Sequence, residues 1–198
     1  DDIVVYLAGR KAAGASNNTI IANISAIRSL YNWMMIQYKI AENPAKYLVS
    51  PKKDKVIPHT INAEDIIKAV KQEPRKDIKL AIIMMASMGL RVSETREIKI
   101  EDINFNTAQA IIMGKGRKER CIYFPSYILE MIKATGKKQG AIFEKWDDRG
   151  FRYAIYTAFK RIGVDASPHQ LRHTFATNAV NEGMRLDVLR EILGHTSI

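Results

Sequence analysis

Apolar residues in the first part of the chain recur at three- and four-residue steps. Ile3, Val4, Leu7 and Ala8 share one helical face ahead of Gly14, which predicts a short helix over residues 1–13. Asn17 or Asn18 can cap a longer one, in which Ile20, Ile24, Ile27, Tyr31, Met34 and Tyr38 form an amphipathic stripe. Arg10, Lys11, Arg28 and Lys39 fall on outer faces, where solvent suits them as well as a polyanion would. Glu42-Asn43-Pro44 interrupts the period and Ala45 to Val49 can form one more turn, so a helical module is expected over 1–50.

The stretch Pro51-Lys52-Lys53-Asp54-Lys55-Val56-Ile57-Pro58 is bounded by prolines and carries three lysines, as expected of an extended basic linker over 51–58. Beyond it, Asn62 is placed to cap a helix over 63–72, with Asp65 at the capping-box position, and Pro74 is placed to open the next. That next helix is apolar all round from Leu80 to Ala86 and should sit at the centre of the larger core. Gly89 ends it, leaving Arg91 at the boundary of the following segment, Ser93-Glu94-Thr95-Arg96.

The period then changes to two. Residues 108–113 and 120–124 read as strands around Gly114-Lys115-Gly116-Arg117-Lys118-Glu119, a hairpin tip with a positively charged finger. Helices follow over 126–135 and 148–162, the second with Phe151, Ile155, Phe159 and Ile162 on one face. Ser167-Pro168 suits a helix N-cap and first position, and a last helix over 186–193 stops at Gly194, with His195 just beyond. The expected fold is mainly α with a small antiparallel β-sheet, divided into an all-helical unit over 1–50 and a mixed α+β unit over 59–198.

Composition narrows the partners. The net charge of +10 on 198 residues suits a phosphate-rich ligand, although a membrane surface or an acidic protein would suit it too. The longest apolar run, Leu80 to Met88, is too short to cross a bilayer, and no signal peptide is visible. A single cysteine, Cys121, excludes an internal disulfide framework and is compatible with a reducing, cytoplasmic setting; it is expected as a packed strand residue. Metal-ligand spacings such as CxxC or HExxH do not occur, and no metal or cofactor is expected.

The richest stretch is His169-Gln170-Leu171-Arg172-His173. Helical spacing places His169, Arg172 and His173 on one face at a helix start, where free N–H groups and the positive dipole end attract phosphate and disfavour the imidazolium. A proton acceptor and a guanidinium clamp would then share one anion site. An ordinary basic helix face, or a core histidine, would present the same five residues.

Arg91 in Gly-Leu-Arg-Val-Ser-Glu, Lys115 in Gly-Lys-Gly-Arg-Lys-Glu-Arg, His169 and Arg172 in His-Gln-Leu-Arg-His-Thr-Phe-Ala-Thr, and His195 in Leu-Gly-His-Thr-Ser-Ile stand in the order and rough spacing of one family. The chain resembles the tyrosine recombinases of the phage integrase and Xer type over nearly its whole length. The resemblance implies a helical core-binding domain (1–50), an α+β catalytic domain (59–198), and site-specific strand cleavage and rejoining through a 3′-phosphotyrosyl intermediate without metal. It assigns Arg91 and Arg172 to the non-bridging phosphate oxygens, His169 to proton transfer, Lys115 to protonation of the leaving 5′ oxygen, and His195 to a hydrogen bond with the phosphate. Glu94 and His173 would be structural neighbours. Lys52, Lys53, Lys55, Arg117 and Lys118 are expected DNA contacts.

The implied partner is double-stranded DNA at a specific site, bound by a homo-oligomer, a tetramer, with tail exchange between protomers and no membrane. Both ends look cut, so a fragment is expected. In the family the nucleophilic tyrosine follows the Leu-Gly-His motif, and Tyr123, Tyr127, Tyr153 and Tyr156 all precede it. The 198 residues are therefore expected to bind DNA and not to cleave it. The alternatives are a non-catalytic DNA-binding protein that keeps the recombinase fold, and a metal-dependent nuclease, which a chelator would silence.

Overall fold

A computed structural model describes residues 2–38, 40–54, 59–114 and 119–194. The chain forms two compact units, Asp1–Ile57 and Pro58–Ile198. In the first, α1 (Asp2–Ala12) packs on α2 (Asn17–Tyr38) through Leu7, Ile20 and Ile24, with Ile3, Ile27 and Leu48 around them. Capping of α2 falls to Ser16, whose Oγ accepts the Thr19 N–H at 3.1 Å, rather than to Asn17 or Asn18. Asn17 is instead held by Asp54, which accepts both its backbone and its side-chain N–H.

Two expectations for this unit change. Arg28 is not a solvated decoration: its Nε donates to the Ala45 carbonyl and its Nη2 to that of Leu48, which secures the turn after Pro44. The apolar stripe of α2 is covered only at its start. Ile20 and Ile24 are buried, whereas Trp33, Ile36 and Tyr38 are exposed.

In the second unit, α3 (Ala63–Gln72) and α4 (Lys76–Met88) are followed by the short α5 (Val92–Glu97) and a three-residue helical turn, Ile100–Asp102. The sheet order is β1 (Ile103–Asn104), β2 (Gln109–Met113), β3 (Glu119–Tyr123), all antiparallel, with Ile111 opposite Cys121 and Ile112 opposite Arg120. Then come α6 (Ser126–Lys133), α7 (Asp148–Lys160), α8 (Pro168–Asn181) and α9 (Leu186–Leu193). The fold is thus mainly helical with a small antiparallel sheet. The two-residue β1 is too short to leave a period in the sequence.

The core centres on α4 as its composition requires: Ile78, Leu80, Ile82, Met84 and Met85 are all fully or almost fully buried. Phe151, Ile155 and Phe159 of α7 close over it, while Ile162 lies past the helix end and is only partly buried. Pro74 precedes α4 rather than opening it; the helix begins at Lys76 with Arg75 as N-cap. Asn62 does occupy the N-cap of α3, but its side chain makes no capping bond, so the capping box with Asp65 does not form. The sheet turns Ala110, Ile112 and Ile122 inward and leaves Ile111, Met113 and Tyr123 outward. Cys121 shares that outward face and is exposed, not packed, because the two-residue alternation assigns the buried side to its neighbour Ile122.

Among the described residues no helix is long and apolar enough to span a membrane, and no cluster of three His, Cys, Asp or Glu side chains could hold a metal ion.

Candidate active site

Helix ends build this site. Met88 ends α4, and Gly89 follows at φ +62°, a left-handed conformation that suits a residue without a side chain. Three residues later α5 starts with Arg91 as its N-cap residue. The Glu94 carboxylate reaches back to this turn: its Oε2 accepts the Arg91 backbone N–H at 2.8 Å and its Oε1 accepts Arg91 Nη1 at 2.6 Å. Arg91 is therefore held from both its backbone and its guanidinium, with about a quarter of its side chain still exposed.

Helix α8 contributes the second arginine. Pro168 stands at its first turn, and Gln170 returns its side chain to the Ser167 N–H at 2.7 Å, so the expected start is satisfied from both sides. Thr174, buried one turn further on, accepts the Ile61 N–H at 2.8 Å and donates to the Gln170 carbonyl, which ties α8 to the chain entering α3. Arg172 is buried. Its Nη1 donates to the Gly89 carbonyl at 2.7 Å and its Nη2 to the Leu193 carbonyl at 2.5 Å. One guanidinium thus joins the C-terminal ends of α4 and α9.

Arg120, from β3, was not among the residues the sequence singles out. It donates Nη1 and Nη2 to the two oxygens of Glu94, each at 2.8 Å, and Nε to the Ile192 carbonyl at 3.0 Å. Glu94 is consequently the hub of three arginines, with Arg172 Nη1 at 3.7 Å from its Oε2. The only trace in the sequence is Glu94 three residues after Arg91, a spacing that helices use for ion pairs. Nothing local marks Arg120, because its partners lie 26 and 72 residues away.

Electrostatics follow from this packing. Burial raises the Glu94 pKa, but the Arg120 fork and the Arg91 donors outweigh it and bring it down to about 2. Burial lowers Arg172, as does the nearby charge of Arg91, with Glu94 opposing them; the result is about 10, so the group is still a cation at neutral pH. His169 is exposed on the first turn of α8, with the His173 ring edge-on at 4.9 Å between centroids. Partial desolvation and then the charges of His173, Arg172 and Arg91 lower its pKa below 6.5. Its imidazole is neutral at pH 7, and it feels both arginines. Arg91, Arg172 and His169 therefore belong to one electrostatic group. Lys115 and His195 lie outside the described residues, as do Lys55, Arg117 and Lys118; Lys52 and Lys53 are exposed in an irregular stretch.

The hub predicts an acid transition. A carboxylate whose folded pKa is about 2 against an ordinary 4.5 contributes stability that is complete above pH 4.5 and is lost as pH falls toward 2. The contribution is on the order of 3 kcal/mol. Urea unfolding of wild type and Glu94→Gln across that interval should show a steeper acid loss in the wild type. Parallel curves would contradict the assignment.

Comparison with known proteins identifies the family. The phage integrase family profile matches residues 59–198. The tyrosine recombinase XerC of Staphylococcus carnosus (strain TM300) is 32% identical over 98% of this chain and 72% of its own length. Among solved structures, the integrase from mycobacterium phage Brujita superposes with a TM-score of 0.67 at 26% identity, covering 99% of this chain and 69% of that one. A lambda integrase dimer bound to a core site superposes with a TM-score of 0.79 at 17% identity, covering 98% and 78%, a likeness of fold alone. On the family profile, the relatives and the shared fold, the chain belongs to the phage integrase family of tyrosine recombinases.

Proposed function

We propose that this protein cleaves and rejoins DNA at a specific site through a 3′-phosphotyrosyl intermediate, with Arg91 and Arg172 in the place a metal ion would otherwise take. The observation that carries the reading is the convergence of both arginines on one buried carboxylate, with a neutral histidine within their field. Attack on phosphorus concentrates negative charge on the two non-bridging oxygens. Preorganised guanidinium groups stabilise that charge without reorganising during the reaction.

His169, neutral at pH 7, can accept a proton beside the phosphate. Lys115 protonates the leaving 5′ oxygen, and His195 donates a hydrogen bond to a non-bridging oxygen. Lys52, Lys53, Lys55, Arg117 and Lys118 neutralise backbone phosphates of the bound duplex, which makes affinity fall steeply with salt. The core-binding role of the first unit and the catalytic role of the second belong to the same proposal, as does a tetramer on DNA; a lambda integrase tetramer has been solved on a Holliday junction.

By the family pattern the attacking tyrosine follows the Leu-Gly-His motif. A polypeptide ending at Ile198 is therefore expected to bind a target duplex and form no covalent link, while the full reading frame forms a denaturant-resistant adduct on a nicked suicide substrate. An adduct on the 198-residue polypeptide would overturn the assignment of the nucleophile. Cleavage abolished by chelator would overturn the metal-free mechanism.

A further inference from the structure

We propose that Arg120 is a positioning residue, which keeps Arg91 available to a phosphate by occupying one whole edge of the Glu94 carboxylate. The inference rests on the reading that Arg91 and Arg172 hold a phosphate.

A carboxylate offers two oxygens and about four acceptor directions. Arg120 fills one on each oxygen with a two-pronged contact, 2.8 Å and 2.8 Å. The Arg91 backbone N–H takes a third on Oε2, which leaves the Arg91 side chain a single bond, to Oε1. The other prong of Arg91, Nη2, reaches only a long 3.4 Å contact with the Gly194 carbonyl. Arg91 is thus oriented by Glu94 without being consumed by it. Remove Arg120, and a buried, ionised carboxylate is left with an open edge, with the forks of Arg91 and Arg172 nearest to it. Two-pronged pairing is the stronger geometry, so one of them turns inward to complete it.

Arg120 itself is not a ligand for substrate. Nε, Nη1 and Nη2 of Arg120 all have protein acceptors, and both Nη groups are committed to the Glu94 carboxylate, whereas among the described residues Arg172 Nε has no protein acceptor. The same side chain also fixes the end of α9. The Ile192, Leu193 and Gly194 carbonyls, three in succession at the negative end of the helix, receive donors from Arg120, Arg172 and Arg91 respectively. Arg120 packs so closely on Gly194 that a Cβ there would stand 3.1 Å from Nη1 and 3.2 Å from Cδ.

The test uses the full-length protein as wild type, Arg120→Met and Arg120→Lys. Three quantities are read: duplex affinity, thermal midpoint, and single-turnover cleavage of two suicide substrates. One substrate carries an ordinary scissile phosphodiester and the other an uncharged methylphosphonate. On the phosphodiester, R120M should cleave about 10²-fold more slowly than wild type, the penalty of a displaced clamp, with duplex affinity unchanged. R120K, which keeps a cation beside Glu94 but loses the fork, should fall between them. On the methylphosphonate there is no anionic oxygen pair to hold, so wild-type and R120M rates should converge. A purely structural defect would slow both substrates alike.

Equal phosphodiester rates in wild type and R120M, or a defect of the same size on both substrates, would overturn the role of Arg120. A wild-type protein that cleaves neither substrate would overturn the phosphate reading instead. If R120M melts below the assay temperature, R120K is compared with wild type on the same two substrates, and the same two outcomes decide.

Discussion

Arg172→Lys is expected to lower single-turnover strand cleavage by about 10³-fold in the full-length protein, the scale of losing one preorganised donor to a developing oxyanion. Lysine keeps the charge but has neither the planar fork nor the reach to serve two carbonyls and a phosphate oxygen at once. Arg172 spends Nη1 on Gly89 and Nη2 on Leu193, so its loss also releases the contact between the ends of α4 and α9. Arg172→Ala should therefore cost stability as well. Two carbonyls lose their donor in a buried setting, which amounts to about 2–5 kcal/mol. Cleavage rate and thermal unfolding measured on both variants separate the two effects, because R172K retains one of the two bonds. A cleavage rate for R172K close to wild type would remove Arg172 from the phosphate.

Gly89→Ala is the second large effect, and it acts on the scaffold beneath the site. Gly89 has φ +62°, and a Cβ there would overlap the Phe175 ring and come within 2.9 Å of Leu193 Cδ2. For a residue with a side chain, left-handed backbone strain costs about 1–2 kcal/mol and overpacking about 1–3 kcal/mol. The expected loss is about 3 kcal/mol, or a fall in melting temperature of about 10 °C. Gly163→Ala is the matched control: φ is +78°, but nothing lies within 4 Å of a Cβ, so only the backbone strain remains. If the two variants melt together, the close approach of α4, α8 and α9 at Gly89 is not what limits that position. Cleavage should fall in G89A, since the Gly89 carbonyl is the acceptor that orients Arg172.

Most of the element pattern was legible. Leu186–Leu193 and its stop at Gly194 follow from the local rule for a glycine after a helix, and both bounds agree with the structure. The α4 core helix follows from seven successive apolar residues, a signal that needs no tertiary information. Capping was less legible. Ser16, Asn17 and Asn18 are all good cap residues, and which one serves depends on where the chain turns after Gly14. Burial was the least legible. The stripe on α2 looks continuous in sequence, but coverage depends on what packs against it, and only its first part, from Ile20 to Ile27, joins the apolar cluster of the first unit. Cys121 looked packed for the same reason, since hydrophobicity does not say which side of a two-faced strand meets the core.

Residue chemistry by itself determined the family resemblance and the mainly helical fold with a small antiparallel sheet, and it singled out Arg91, His169 and Arg172 as candidate site residues. Those features depend on local spacing and on side-chain type. The tertiary structure decided how the motif residues are held. Glu94 became the hub of the site, and Arg120, the last residue of the Gly-Lys-Gly-Arg-Lys-Glu-Arg stretch and assigned no role there, became its main counter-charge. Three arginines, from the N-cap of α5, from β3 and from α8, came to share the carbonyls that end α9. A guanidinium or a terminal carbonyl is the same group wherever it stands in the chain. Only packing brings donors and acceptors separated by 21 to 103 residues within hydrogen-bond reach, and that pairing is invisible to any period read along the sequence.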